Sequence, residues 1–281
     1  MTNTTILILG GKGKTGRHVT ERLQARGVQT RLASRSSARR FDWYDEDTWE
    51  PVTTGIDTAY MAPPVDPPGM MRAERFIRQA AANGLRRLVL LSGRGVGSPG
   101  REFEVYEKGL ELENAVKDSG LDWTIVRPAW FMQNFSEDFF YDSVMAGELR
   151  VSAGDGAEPW IDTEDIAEVM VAALLDPKHI GETYSLSGPR TLTMTEVASE
   201  LTAAIGRPIR YVELEPEEHV AELVGYGAPR EVAESLRDLL AVIRNHRSEY
   251  LSDGVRQVLG REPRDFADWA RRTARTGAWS A

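Results

Sequence analysis

The chain of 281 residues contains no cysteine, which excludes disulfides and thiolate metal sites. Its four histidines, His18, His179, His219 and His246, are scattered and show no metal-ligand spacing, so each is expected to be a surface or helix residue and no metal centre is expected. Basic residues are in the minority: 34 Lys and Arg stand against 43 Asp and Glu, a formal charge of −9. That balance argues against non-specific nucleic-acid binding, which draws on a basic surface. No apolar run is long enough to cross a membrane, and residues 1–5 lack the basic and apolar regions of a signal peptide. The expectation is a cytoplasmic protein with no nucleic-acid or membrane partner. Low-complexity linkers and internal repeats are also missing. The length suits one large α/β domain, or a domain with a smaller appendage.

What the chain does have is glycine, concentrated behind its first apolar run. Ile6 to Leu9 reads as a strand buried on both faces, and Gly10, Gly11, Gly13 and Gly16 follow at once. From Arg17 the apolar residues Val19 and Leu23 recur at helical spacing, and Gly27 closes the segment. Gly11, Gly13 and Gly16 meet the G-x-G-x-x-G spacing; Gly10, Gly13 and Gly16 meet the related G-x-x-G-x-x-G. Between a strand and a helix, such glycines make a tight turn, let backbone approach a pyrophosphate and let helix pack close to strand. The helix start adds free N–H groups and the positive end of its dipole. Gly10, Gly11, Lys12, Gly13, Lys14, Thr15 and Gly16 are therefore the candidate dinucleotide-binding turn. A P-loop is excluded, because Lys14-Thr15 lacks the glycine spacing of G-x-x-x-x-G-K-[ST].

The second strand is expected over 30–34. About 20 residues past the glycine turn an NAD-preferring fold carries an acid for the ribose 2′-hydroxyl. Here Ser34 and Arg35 stand instead, with Arg39 and Arg40 beyond. An arginine fork suits a 2′-phosphate and an acid would repel one, so NADP(H) is expected over NAD(H). Arg39 and Arg40 are equally read as ordinary surface arginines. Residues 41–49 (F-D-W-Y-D-E-D-T-W) predict a short strand leading into a turn of helix. Further strands are expected at 58–62, 87–91 and 123–126, with helices at 70–83 and 103–119. Residues 63–68 (P-P-V-D-P-P) form a stiff loop at a strand's carboxyl end, either a wall of the ligand cleft or a rigid connector.

Strands alternating with helices give an α/β fold with a doubly wound, mostly parallel sheet. After Pro128 the pattern loosens. Helices are expected at 137–145, 162–175, 195–205, 216–224, 230–244 and 266–273, with a strand at 183–186. The reading is a Rossmann cofactor domain over 1–130, rejoined by 160–187. Residues 131–159 and 188–281 make a smaller, mainly helical substrate-binding cap.

At this point the chain resembles the NmrA-like branch of the atypical short-chain dehydrogenase/reductases. The residues that carry the likeness are the 10–17 turn (G-G-K-G-K-T-G-R), 119–128 (S-G-L-D-W-T-I-V-R-P), 130–135 (W-F-M-Q-N-F), and Trp160-Ile161-Asp162 with Asp165-Ile166-Ala167. Phe41-Asp42-Trp43 with Thr48-Trp49, and Ser187-Gly188-Pro189, are most similar to the ergot-alkaloid dehydrogenase subgroup; quinone reductase-like members belong to the same branch. The resemblance implies an NAD(P)-binding oxidoreductase of specialised metabolism that reduces a small conjugated acceptor. In some members it implies instead a regulator that senses the cofactor without turnover. It also implies places for particular residues: Ser34 and Arg35 at the adenosine phosphate, Ala62, Pro63, Pro64, Ser92 and Gly93 along the cofactor, and Pro128 and Trp130 near the nicotinamide.

Ordinary short-chain reductases pair a Tyr with a Lys four residues on, which lowers the phenol's pKa for proton delivery to a carbonyl oxygen. Ser92 and Tyr106 are the catalytic candidates here, but Leu110 occupies the lysine's place. Lys108 lies roughly 200° around the helix from Tyr106. Glu113, on the same helix, is read either as a buried acid or as a solvated one. A ketone needs a proton for its alkoxide; an iminium ion needs only hydride, and water can serve a quinone or enone. The missing pair therefore favours iminium, quinone or enone acceptors, placed against the hydride. Trp130, Phe131 and Trp160 suit a flat, aromatic or cationic substrate, or else pack a core. Asn134 either orients the substrate or caps a helix. A redox-neutral cyclase or isomerase on the same fold is a further alternative, and the oligomeric state stays open.

Overall fold

The computed structural model describes residues 5–98 and 103–280; residues 1–4, read above for a leader, lie outside it. The chain opens with β1 (Ile6–Leu9), α1 (Gly16–Ala25), β2 (Thr30–Ser34), β3 (Arg39–Arg40), α2 (Trp49–Thr53) and β4 (Thr58–Met61). It continues through α3 (Pro67–Ala82), β5 (Arg87–Leu91), α4 (Glu104–Lys117) and β6 (Asp122–Pro128). Then come α5 (Asn134–Glu137), α6 (Tyr141–Ala146), β7 (Glu148–Val151), β8 (Ala157–Glu158), α7 (Thr163–Leu175) and β9 (Glu182–Leu186). The remainder is β10 (Leu192–Thr193), α8 (Met194–Ile205), β11 (Arg210–Glu213), α9 (Pro216–Gly225), α10 (Arg230–Arg244), α11 (Gly254–Leu259) and α12 (Phe266–Arg275).

Two compact units result. The first comprises Met1–Pro128, Thr163–Leu186 and Gly254–Arg261. Its seven strands form one sheet in the order β3-β2-β1-β4-β5-β6-β9, every neighbour parallel. The order reverses between β1 and β4, and ligands of such open sheets bind outside the carboxyl ends there. β1 and β4 are buried along their whole length, as strands covered on both faces must be. Gly254–Arg261, grouped in the sequence with the substrate region, joins this unit because α11 begins against β9. A Cβ on Gly254 would stand 2.5 Å from the Ser185 carbonyl oxygen.

The second unit comprises Ala129–Asp162, Ser187–Asp253 and Glu262–Ala281. It is mainly helical but also holds two two-stranded sheets, antiparallel β10-β8 and parallel β11-β7. Their strands are too short to show a period. Trp160, Phe135, Phe140, Phe266, Trp269 and Trp279 pack its core.

Three local expectations are corrected. The helix expected at 70–83 starts at Pro67, because Asp66 caps it by accepting from the Gly69 N–H (2.8 Å) and proline suits the first turn. Only 63–66 of the proline-rich loop is therefore loop. The strand expected within 41–49 lies just before it, at β3. The helix expected at 137–145 is two short ones, divided where Asp138 leaves the helical region.

Two histidines are helix residues, His219 within α9 and His179 at the end of a single helical turn, Pro177–His179, and both are interior. His179 and His219 are buried, with Nδ1 against the Tyr184 hydroxyl (2.9 Å) and the Ser152 hydroxyl (3.0 Å) respectively. Burial pushes both imidazoles below their ordinary value. The unfolded chain then binds more protons than the fold just below pH 6.5, so their contribution to stability is whole above that pH and is lost as the pH falls. Exposed His246 is raised by Glu249 and acts with the opposite sign, so the comparison needs a variant. His219→Gln is expected to lose less stability than the parent between about pH 7 and pH 5.5 in urea unfolding; equal losses contradict this.

Candidate functional site

Four strand ends of the first unit meet around a cavity of about 370 Å³. Gly10, Lys12 and Gly13 line it from the glycine turn, Ser34 and Arg35 from the end of β2, and Ala62, Pro63 and Pro64 from the end of β4. These are eight of the cofactor candidates read from the sequence. The sequence did not assign the remaining wall: Ala33, Phe41, Asp42, Trp43 and Tyr44. Phe41 and Trp43 are set edge-on (ring centroids 4.7 Å apart), and both rest on Phe76 of α3. The Tyr44 hydroxyl donates to Asp66 at the start of α3 (2.6 Å), and burial beside that acid raises it to about 12. The available signal was an aromatic run directly after Arg39 and Arg40 of β3.

The other turn residues build the cradle instead of lining the cavity. Gly10 has φ +78°, and its carbonyl accepts from the Gly13 N–H (2.9 Å). A Cβ on Gly16 would stand 2.3 Å from that same carbonyl oxygen, and one on Gly11 2.8 Å from Leu32. Buried Thr15 shares a 2.6 Å hydrogen bond with the Tyr60 hydroxyl of β4. Helix α1 begins at Gly16, so its first N–H groups face the turn. Lys14 is part-buried beside them.

The charged groups divide clearly. Arg40 is held by Asp45 (2.7 Å) and Asp42 (3.7 Å), and Arg39 reaches the Pro51 carbonyl (3.4 Å). Arg35 has no acidic partner among the described residues, and Lys12 lies alongside on the Ser36 hydroxyl (2.8 Å). The Ser34 hydroxyl oxygen is buried with no hydrogen-bond partner. A buried hydroxyl without a partner is costly unless a ligand supplies one. A dinucleotide fits this donor set: backbone N–H groups at the turn suit a diphosphate, and Ser34, Arg35 and Lys12 add donors beside it.

Ser92, Gly93 and Pro128 do not line this cavity. They lie along the same carboxyl edge, at the ends of β5 and β6. The Ser92 hydroxyl donates to Glu113 Oε1 (2.6 Å), and Arg127 clamps that carboxylate from Nε (2.8 Å) and Nη2. Glu113 is fully buried, so of its two readings the buried acid holds. Tyr106 lies two turns before it on α4, also buried, and Lys108 is engaged by Glu111 (2.7 Å).

The four substrate candidates belong to the second unit. Trp160 and Asn134 are interior there, Trp160 enclosed by Phe135, Phe140 and Trp130. Asn134 is the first residue of α5 and not its cap, which is Gln133. Trp130, stacked on Phe140 at 6.1 Å, and Phe131 keep partial exposure. Among the described residues no cluster of His, Asp or Glu could hold a metal, and no helix is long and apolar enough to cross a membrane.

Fold and turn together define a Rossmann-type NAD(P)H-binding protein. An NAD(P)H-binding family model matches residues 10–177, and the NmrA-like family model matches residues 96–270. The chain belongs to the NmrA-like family, among the NAD(P)H-dependent oxidoreductases. It is 34% identical to agroclavine dehydrogenase of Claviceps fusiformis over 94% of this chain and 96% of that one. It is 31% identical to an NAD(P)H azoreductase of Xenophilus azovorans over 95% and 96%. Its fold superposes on the NADPH complex of an Escherichia coli NADPH-dependent quinone oxidoreductase with a TM-score of 0.82, at 21% identity, covering 95% of this chain and 99% of that one.

Proposed function

We propose that the chain is an NADPH-preferring reductase that passes hydride to a small conjugated acceptor: an iminium ion, a quinone or an enone. The observation that carries the cofactor choice is the pairing of a partnerless Ser34 hydroxyl with an uncommitted Arg35 in one cavity. A 2′-phosphate offers both groups an acceptor, and Lys12 adds a second positive charge. With NADH bound, the same arginine would meet only a hydroxyl. The acceptor class follows from the proton side. Leu110 stands where a relay lysine would, and Lys108 is committed elsewhere. Acceptors that need no proton from the protein suit such a site, and rate enhancement then comes from placement. Trp130 and Phe131 are offered as contacts for a flat apolar or cationic acceptor. Relatives named as an NAD(P)H azoreductase and as agroclavine dehydrogenases support a reductase of small molecules.

Titration of the chain with NADPH and NADH, followed by tryptophan fluorescence, tests the cofactor reading, since Trp43 lines the cavity. A charge-assisted contact to phosphate is worth roughly ten- to a hundredfold in affinity, so Arg35→Ala is expected to erase a preference of that order. An unchanged preference contradicts the phosphate assignment. A panel of quinones, enones and cyclic imines followed at the NADPH absorbance then separates the readings. Binding without consumption of NADPH by any of them points instead to a cofactor-sensing protein.

A further inference from the structure

The carboxyl edge of the sheet continues past the cavity in a defined register. Leu90 pairs with Met61 and Leu91 with Val126, which puts Ser92 level with Pro63 on one side and Arg127 on the other. Its backbone confirms the placement, as the Ser92 N–H donates to the Val126 carbonyl (2.8 Å). Space is open here: Ser92 keeps partial exposure, and a side chain added at Gly93 would meet nothing within 4 Å. Ser92 thus borders the stretch of edge into which a dinucleotide seated at the glycine turn extends its far end.

A serine hydroxyl carries one proton and two lone pairs. The Ser92 proton is taken by Glu113 Oε1 at 2.6 Å. Glu113 cannot turn away, because Arg127 grips both of its oxygens and Lys117 lies 3.9 Å from one of them. What Ser92 offers the open side is therefore lone pairs only.

We propose that Glu113 is a positioning residue, held by Arg127, that fixes Ser92 as a hydrogen-bond acceptor for an N–H group at the reacting end of the site. This rests on the reductase reading above. A carbonyl oxygen placed there meets a lone pair and is disfavoured; an N–H is recognised. Two sources share that chemistry: the carboxamide of the cofactor, and the nitrogen of a protonated imine acceptor.

The test uses the whole chain and two matched pairs of probes. NADPH is compared with its 3-acetylpyridine analogue, which has no carboxamide N–H, by fluorescence titration. A protonated cyclic imine is compared with its N-methyl counterpart by kcat/KM. One hydrogen bond corresponds to roughly three- to tenfold. If the carboxamide is the donor, the native chain binds NADPH that much tighter than the analogue, and Ser92→Ala erases the difference. If the acceptor is the donor, the imine pair is discriminated instead, again only while Ser92 is present. Glu113→Gln, whose amide can donate to Ser92 and free the serine proton to face the open side, is expected to shrink whichever preference exists; a merely structural loss lowers both probes alike and leaves their ratio unchanged. Should that variant fail to fold, Ser92→Ala decides alone. Equal behaviour within both pairs, or discrimination that survives Ser92→Ala, overturns the proposal. If quinone turnover with NADPH persists in that case, the reductase reading stands; if NADPH does not bind at all, both fall.

Discussion

Gly16→Ala is expected to fold and yet to bind NADPH about a hundredfold more weakly, or not measurably. The reason is steric and local. Gly16 opens α1, and the methyl group would sit 2.3 Å from the Gly10 carbonyl oxygen and 2.9 Å from both the Gly10 carbonyl carbon and Gly11 Cα. All three are backbone atoms of the turn itself, so no flexible side chain can give way. The turn must move off the helix start by about an ångström, the scale at which positioning losses reach a hundredfold. The N–H groups that would receive a diphosphate move with it. Gly16 is not in the left-handed region, so strain in its own backbone does not compete as an explanation. Gly27→Ala serves as the contrast: its φ is +73° but a Cβ there meets nothing within 4 Å, so it costs stability and spares the cofactor. Equal NADPH affinity in Gly16→Ala and the native chain contradicts the cradle.

The second large effect concerns stability. Glu113→Ala is expected to cost about 3 kcal/mol, the lower end for breaking a buried ion pair by removing one partner. Arg127 then loses both carboxylate contacts beside β6, and the Ser92 hydroxyl loses its acceptor. Arg127 keeps 21% exposure and recovers some hydration, which holds the loss to that lower end. A loss of that size lowers the melting temperature by roughly 6–12 °C in a chain of this size. Glu111→Ala on the same helix, where the carboxylate itself is half exposed and no fully buried group is left behind, is expected to change it by roughly 2 °C or less. Similar melting temperatures for the two variants would mean the buried cluster contributes no more than a surface pair.

The middle of the sheet was legible in the chain because its strands β1, β4 and β5 are short, mostly apolar runs. β1, β4 and β5 emerged from that signal with nearly their observed ends. The glycine turn was legible for the same kind of reason, since close backbone approach leaves glycine little alternative. β7 and β11 were not, because half the residues of each four-residue strand are charged, Glu148 and Arg150 in one and Arg210 and Glu213 in the other, and the two pair with each other. Nor was the aromatic wall at Phe41, Trp43 and Tyr44. Its residues read locally as a strand and a helix turn, and only the packing of Phe76 beneath them brings the stretch to the cavity. Glu113 was ambiguous for a related reason. Its burial depends on Arg127, fourteen residues away on another element, and helix periodicity carries no information about that partner.

Isothermal titration of the native chain with NADPH, and separately with NADH, meets the central claim most directly. One NADPH site per chain is expected, with NADH binding at the same site about tenfold or more weakly. Absence of heat with NADPH, or equal affinity for the two dinucleotides, contradicts it.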